Sequence, residues 1–188
     1  MNLPNKLTVV RICLVPVFVF FMMASSFPYR YAAALLIFAV ASYTDLLDGK
    51  IARSRNLVTN FGKLMDPLAD KILVMSALIC FVKLGLASTV CVIIIMFREF
   101  AVTSIRLVAV EQGKVIPANN FGKAKTVSQM IAIISILAMQ AVLNFGVLAN
   151  YQGTLILIGE VLIYISTVLT IVSGLIYAKD SAYLFKDM

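Results

Sequence analysis

The sequence predicts an all-α, polytopic integral membrane protein with six transmembrane helices, and three observations carry that expectation. Of its 188 residues, 62% are apolar without counting glycine, against roughly 45–50% with glycine counted in soluble domains. The apolar residues gather in six stretches, at about 9–25, 31–47, 68–86, 87–110, 126–149 and 153–178, each near the ~20 residues that cross a bilayer as a helix. Basic residues cluster at alternate breaks between those stretches. Six spans occupy roughly 120 positions, so residues 1–188 read as a single membrane-embedded domain. Any chemistry must come from residues on the helices or at their mouths.

The first stretch follows Lys6 and Arg11 and resembles a signal peptide, but Pro16 interrupts it and five further spans follow without a convincing cleavage site. It is therefore expected to be a membrane helix, with residues 1–11 as an interfacial segment lying along the surface before the chain turns inward. Ser25-Ser26-Phe27-Pro28 separates it from the second stretch. The break Arg53–Met65 precedes the third, for which Asp66-Pro67 offers an N-cap followed by an N1 proline. Gly85 divides the third from the fourth, whose apolar run is imperfect because Arg98, Glu99 and Arg106 fall within it. Glu111–Asn120 and Asn150–Gly153 bound the fifth and sixth.

Orientation follows from the basic residues. Those near the N-terminus (Lys6, Arg11), around the second break (Lys50, Arg53, Arg55, Lys63, Lys71), around the fourth (Arg106, Lys114, Lys123, Lys125) and at the C-terminus (Lys179, Lys186) share one side. Only Arg30 and Lys83 lie on the other, and Arg98 lies within a span. Both termini and the loops at 53–65 and 111–122 are thereby expected in the cytoplasm, at the cell membrane.

Composition narrows the chemistry. The net charge of +7 suits anionic head groups or phosphorylated substrates; no basic stripe lies outside the apolar framework, so nucleic acid is not an expected partner. The absence of histidine removes imidazole bases, His-activated nucleophiles and imidazole metal ligands. Cys13, Cys80 and Cys91 stand singly in apolar runs without CxxC spacing. Catalysis must rest on carboxylates.

Four of the nine acidic residues, Asp45, Asp48, Asp66 and Asp70, fall within 26 residues near helix ends on the cytoplasmic side. Such a cluster is costly: an aspartate at a span's centre costs about 2.5–3.5 kcal/mol on insertion scales, and like charges repel unless cations intervene. At 100° per residue, Asp45, Asp48, Gly49, Ala52 and Arg53 occupy one arc of about 140°, and Asp66 and Asp70 share a face at i,i+4. Two pairs of carboxylates describe a site for two hard cations, Mg²⁺ or Mn²⁺, which would clamp a phosphate during in-line displacement. Each residue alone also has an ordinary reading: Asp66 as a helix cap, Asp70 in the first turn, Asp48 paired with Lys50 or Arg53, Arg53 as an anchor, Gly49 as a packing position and Gly62 as a loop glycine. Together the four aspartates favour the metal site.

Asp45-x₂-Asp48-Gly49-x₂-Ala52-Arg53-x₈-Gly62-x₃-Asp66-x₃-Asp70 resembles, without departure, the signature of the CDP-alcohol phosphatidyltransferases. The signature covers 26 residues, and the length and six-span pattern extend the resemblance over the chain. It implies the CDP-alcohol phosphotransferase fold, attack by an alcohol on the β-phosphorus of a CDP-linked lipid with release of CMP, and a homodimer. It assigns Asp45, Asp48 and Asp66 to two divalent cations, Asp70 to metal contact and general base, and Gly49, Ala52, Arg53 and Gly62 to the CDP-lipid. A carboxylate beside cations is a weak base, so deprotonation is expected to run late with phosphorus–oxygen bond formation.

Three shorter segments resemble the branch of that family whose acceptor is sn-glycerol 3-phosphate and whose donor is CDP-diacylglycerol: Pro4-Asn5-x-Leu7-Thr8-x₂-Arg11, Arg98-Glu99-Phe100 with Arg106, and Gly122-Lys123-x-Lys125-Thr126. A phosphate dianion needs cationic partners, so Lys123, Lys125, Thr126, Arg106, Arg98 and Arg11 are candidates for the acceptor phosphate. Positive-inside anchoring competes for each lysine, less so for Arg98, which needs a polar partner such as Glu99. Inositol phosphate or serine would use the same signature with another pocket. An intramembrane prenyltransferase would suit Asp66-x₃-Asp70 but not Asp-Gly-x₂-Ala-Arg, and a cation transporter is the non-enzymatic alternative.

Overall fold

The computed structural model describes residues 3–54, 60–112, 120–146 and 148–182; within these, the side chains of 3, 4, 45–54, 60–64, 66, 67, 70, 120 and 149 are not among those described. Six α-helices account for nearly all of it: α1 (Leu3–Met23), α2 (Arg30–Ser54), α3 (Asn60–Lys83), α4 (Thr89–Glu111), α5 (Asn120–Asn144) and α6 (Gln152–Ser181). A 3₁₀ turn, Ala149–Tyr151, leads into α6. No strand occurs among the described residues.

Helix count follows the six apolar stretches, while helix ends do not. The second helix continues beyond residue 47 to Ser54, the third starts at Asn60 instead of 68, and the fifth starts at Asn120 instead of 126. Hydropathy marks where a chain meets hydrocarbon; a backbone goes on satisfying its own hydrogen bonds past that point. Helix α1 runs unbroken through Pro16. Residues 3–11, expected as an interfacial segment, are its opening turns, and Asn5, Thr8 and Arg11 are buried there.

Short turns join α1 to α2 and α3 to α4. After α3 the backbone closes by Leu86 N–H donating to Phe81 C=O at 2.8 Å and Gly85 N–H to Val82 C=O at 3.1 Å, with Gly85 at φ +70°. That bond pair is a Schellman cap, and the left-handed residue explains why glycine breaks the apolar run there. At the same end of the bundle, Asn144 Nδ2 donates to Pro28 C=O, and the Tyr29 and Phe145 rings lie 5.5 Å apart.

Three segments, Asn5–Met23, Phe121–Asn144 and Gln152–Ser181, are long and apolar enough to cross a membrane; Arg30–Thr44 is a shorter apolar one. Large apolar side chains such as Phe20, Leu36, Ile79, Phe97, Leu107 and Leu175 point outward, the inside-out arrangement suited to a hydrocarbon solvent. Inside, Phe18, Phe38, Phe81, Ile133 and Leu137 are fully enclosed, with the Phe18 and Phe38 rings 5.9 Å apart.

Small and hydroxylated residues allow α6 to pack closely. Its buried face includes Gly159, Ser166, Thr167, Thr170 and Ser173, and the hydroxyls of Thr167 and Thr170 donate to carbonyls one turn back, at 2.8 and 2.7 Å. These two hydroxyls are thus satisfied without a partner helix, whereas the buried hydroxyl oxygens of Ser166 and Tyr177 are not hydrogen-bonded among the described residues. A Cβ at Gly159 would lie 3.1 Å from Ile136 Cγ1 on α5. Gly159→Ala is therefore expected to be tolerated after a small shift, whereas Gly159→Leu should lower stability by about 1–3 kcal/mol through overpacking. Denaturation of the two variants in one detergent checks this; equal stability would show that α5 and α6 can part freely.

Candidate active site

The aspartate motif lies on two neighbouring helix ends. Asp45, Asp48, Gly49, Ala52 and Arg53 belong to the last turns of α2, and Gly62, Asp66 and Asp70 to the first turns of α3. Because both segments are regular helix, Asp45 and Asp48 share a face, as do Asp66 and Asp70. Asp66 does not cap α3, which begins at Asn60, so Asp66 and Pro67 are interior helix positions. Gly62 and Lys63, read as preceding the helix, are in its first turn. The side chains of all eight signature positions lie outside the described residues. Among those described, no cluster of three or more acidic or thiol donors occurs.

Next to these helix ends is a cavity of about 530 Å³. All of the first five helices contribute to its wall: Arg11 from α1, Ser42 and Tyr43 from α2, Lys71 and Val74 from α3, Glu99 from α4, and Lys125, Thr126 and Gln129 from α5. The α2 contributors end two residues before Asp45, and Lys71 directly follows Asp70. The cavity therefore continues from both aspartate-bearing segments.

Its charge is unusual for the middle of a helical bundle. Among the described residues lining it, Arg11, Lys71 and Lys125 are cationic and Glu99 is anionic, a surplus of two positive charges. Arg11 is fully enclosed and Lys125 is only 3% exposed. A cation in such a place is costly unless paired. The pairing is visible: the Lys125 ammonium donates to Glu99 Oε1, which also accepts from Arg98 Nη1 at 3.1 Å. Lys71 Nζ donates to Thr103 Oγ1, and that hydroxyl donates to the Glu99 carbonyl at 2.7 Å. One turn of α4 thus ties α3 and α5 together.

The candidate acceptor residues separate in space. Arg11, Lys125 and Thr126 line the cavity; Lys123, Arg98 and Arg106 do not. Lys123 is exposed, as its position two residues, or about 200°, from Lys125 on a helix requires. The stem of Arg98 turns toward α6, where a Cβ at Gly174 would come within 3.0 Å of Arg98 Cγ. The guanidinium of Arg106 lies 5.9 Å from the Tyr177 ring centroid, also on α6, at cation–π range. Sequence reasoning passed over Lys71 and Gln129. Lys71 was counted only as a membrane anchor, although it adjoins Asp70; Gln129 was marked only by being a lone amide one turn beyond Lys125.

The CDP-alcohol phosphatidyltransferase family matches residues 1–172. A CDP-diacylglycerol–glycerol-3-phosphate 3-phosphatidyltransferase of Bacillus subtilis (strain 168) is 48% identical over 147 residues, covering 72% of this chain and 76% of the relative. A relative of the same name from Rickettsia bellii is 38% identical over 178 residues, covering 95% and 94%. A protein named probable phosphatidylglycerophosphate synthase from Mycobacterium tuberculosis is 42% identical over 134 residues, covering 70% and 64%.

Proposed function

The chain belongs to the CDP-alcohol phosphatidyltransferase family, and from that premise we infer that it transfers the phosphatidyl group of CDP-diacylglycerol to a hydroxyl of sn-glycerol 3-phosphate, giving phosphatidylglycerophosphate and CMP. It is a transferase of phospholipid biosynthesis. The observation that carries the choice of acceptor is the cationic cavity continuing from the two aspartate-bearing helix ends. A phosphomonoester dianion matches the surplus charge of the described lining and sets glycerol 3-phosphate apart from serine, while the relatives' names favour it over inositol phosphate.

The donor set suits two divalent cations, Mg²⁺ or Mn²⁺: four hard carboxylates in two same-face pairs on adjacent helix ends. When bound, they supply polarisation of the diphosphate and neutralise charge on departing CMP. Asp45, Asp48, Asp66 and Asp70 hold them, and Asp70 also takes the acceptor's hydroxyl proton. Gly49 and Ala52 leave the α2 backbone open to the cytidine, while Arg53 and Gly62 flank the CDP phosphates. Lys125, Arg11, Lys71 and Thr126 hold the acceptor phosphate from the cavity wall. Lys123 and Arg106, outside the cavity, attract anionic lipid at the membrane surface, and Arg98 steadies Glu99.

The six helices all span the cytoplasmic membrane of the cell. Both termini and the α2–α3 and α4–α5 connections face the cytoplasm, where glycerol 3-phosphate is available, and two copies of the chain form a homodimer. Arg55, Lys114 and Lys186, part of the charge asymmetry behind this orientation, lie outside the described residues.

Purified protein supplied with CDP-diacylglycerol is expected to release CMP with glycerol 3-phosphate, far more slowly with inositol phosphate or serine, and not at all after chelation until Mg²⁺ or Mn²⁺ is restored. Preference for serine would overturn the acceptor assignment, and undiminished turnover in chelator would overturn the metal site.

A further inference from the structure

Glu99 is the anionic member of the described cavity wall, and its position raises a question that the reaction itself does not answer. A pocket for a phosphate dianion gains nothing directly from a carboxylate, which repels the substrate. Yet Glu99 is 14% exposed at its side chain and is held by two cations, Arg98 at 3.1 Å and Lys125. Its backbone carbonyl closes the chain of hydrogen bonds that begins at Lys71.

Three cations lining one cavity repel one another. Lysine adds a second difficulty, because its four-carbon stem carries a compact charge that can turn in many directions. Left alone, the Lys125 ammonium would swing toward water at the mouth. A carboxylate on the neighbouring helix fixes it. Arg98, one residue along α4, approaches Glu99 from the α6 side, so the carboxylate is itself held by a cation outside the cavity and does not depend on Lys125 for its place.

We propose that Glu99 is a positioning residue: through its ion pair it sets the Lys125 ammonium at the place that receives the acceptor's phosphate. The proposal rests on the reading of this cavity as the glycerol 3-phosphate pocket. Glu99 is not a catalytic residue, since it acts on the substrate only through Lys125. Its effect should therefore appear in acceptor recognition and leave the CDP-diacylglycerol side undisturbed.

Two variants test it, with wild-type protein run alongside. Wild-type failure to use glycerol 3-phosphate would sink the underlying reading, whatever the variants do. Given wild-type activity, Glu99→Gln is expected to raise the KM for glycerol 3-phosphate about 10-fold or more, as loss of a charge-assisted contact does, with the KM for CDP-diacylglycerol within about twofold. Glu99→Asp should recover part of the loss. An unchanged acceptor KM, or two KM values rising together, would overturn the proposal. Thermal denaturation of the same variants separates positioning from mere structure: a raised acceptor KM in Glu99→Gln that keeps a wild-type melting temperature supports the proposal. A melting temperature that falls while the acceptor KM stays unchanged, or failure of both Glu99→Gln and Glu99→Asp to fold, would make Glu99 a structural ion-pair residue and overturn it.

Discussion

Asp70→Asn is expected to lower kcat by about 10³-fold or more, the largest effect of any single substitution in this chain. The estimate combines loss of a carboxylate ligand to divalent cations, a matter of several kcal/mol in transition-state charge, with loss of the group assigned to take the hydroxyl proton, which contributes about 10²–10⁴-fold in general-base catalysis. Asparagine keeps the size and a carbonyl oxygen, so the change is one of charge. The KM for glycerol 3-phosphate should move little, because the cations proposed to hold that substrate's phosphate, Arg11, Lys71 and Lys125, line the cavity wall and have no part in Asp70's carboxyl role. Stability should change in the opposite direction from activity. Without metal, four clustered aspartates repel one another, and neutralising one relieves that repulsion, so metal-free Asp70→Asn is expected to denature at a higher temperature than metal-free wild type. Initial rates at saturating substrates, with thermal denaturation in chelator, check both halves. A variant retaining more than a tenth of wild-type kcat would remove Asp70 from the chemistry.

The fold was legible wherever hydropathy decides it. Six apolar stretches became six helices, and the turns at Ser25–Pro28 and Gly85 fell where polar or glycine residues interrupt the runs. Helix ends were less legible, because the residues beyond the apolar stretches, such as Asp48 to Ser54 on α2 and Asn60 to Asp66 on α3, mix charged and polar residues with apolar ones and are yet helical. The same polarity made Asp66-Pro67 look like the start of a helix. The continuous opening of α1 was hidden for a related reason: Asn5, Thr8 and Arg11 look interfacial by type, but their spacing of three places them together on the buried side.

The candidate site divides along similar lines. The same-face pairing of Asp45 with Asp48 and of Asp66 with Asp70 is legible from spacing, since each pair lies within one helix and needs no knowledge of its neighbours. The acceptor residues are not, because which cation lines the cavity depends on how helices rotate against one another. Arg98 and Glu99 are adjacent, yet the arginine's stem turns to α6 and the glutamate to α5. Hydropathy is blind to that rotation. Lys71 escaped notice because every lysine near a membrane end has the same ready explanation as an anchor.

Lys123 and Lys125 provide the sharpest test of what the three-dimensional arrangement adds, since by sequence they were equal candidates. Lys125 is 3% exposed, lines the cavity and pairs with Glu99; Lys123 is exposed on the far side of the same helix. Lys125→Met is expected to raise the KM for glycerol 3-phosphate by about 10–150-fold, the range for losing a hydrogen bond to a charged group worth about 1.5–3 kcal/mol. Methionine keeps the stem's volume while removing the ammonium. Glu99 retains Arg98 as a partner, so the variant does not bury an isolated carboxylate, and the cost falls on the acceptor more than on the fold. Lys123→Met should change the same KM less than about threefold, as an exposed charge screened by salt contributes little. Paired kinetic measurements at fixed, saturating CDP-diacylglycerol decide the matter. Equal effects of the two substitutions would mean that lysine acts here only through the general positive potential of the membrane face, and the cavity would then lose its claim to the acceptor phosphate.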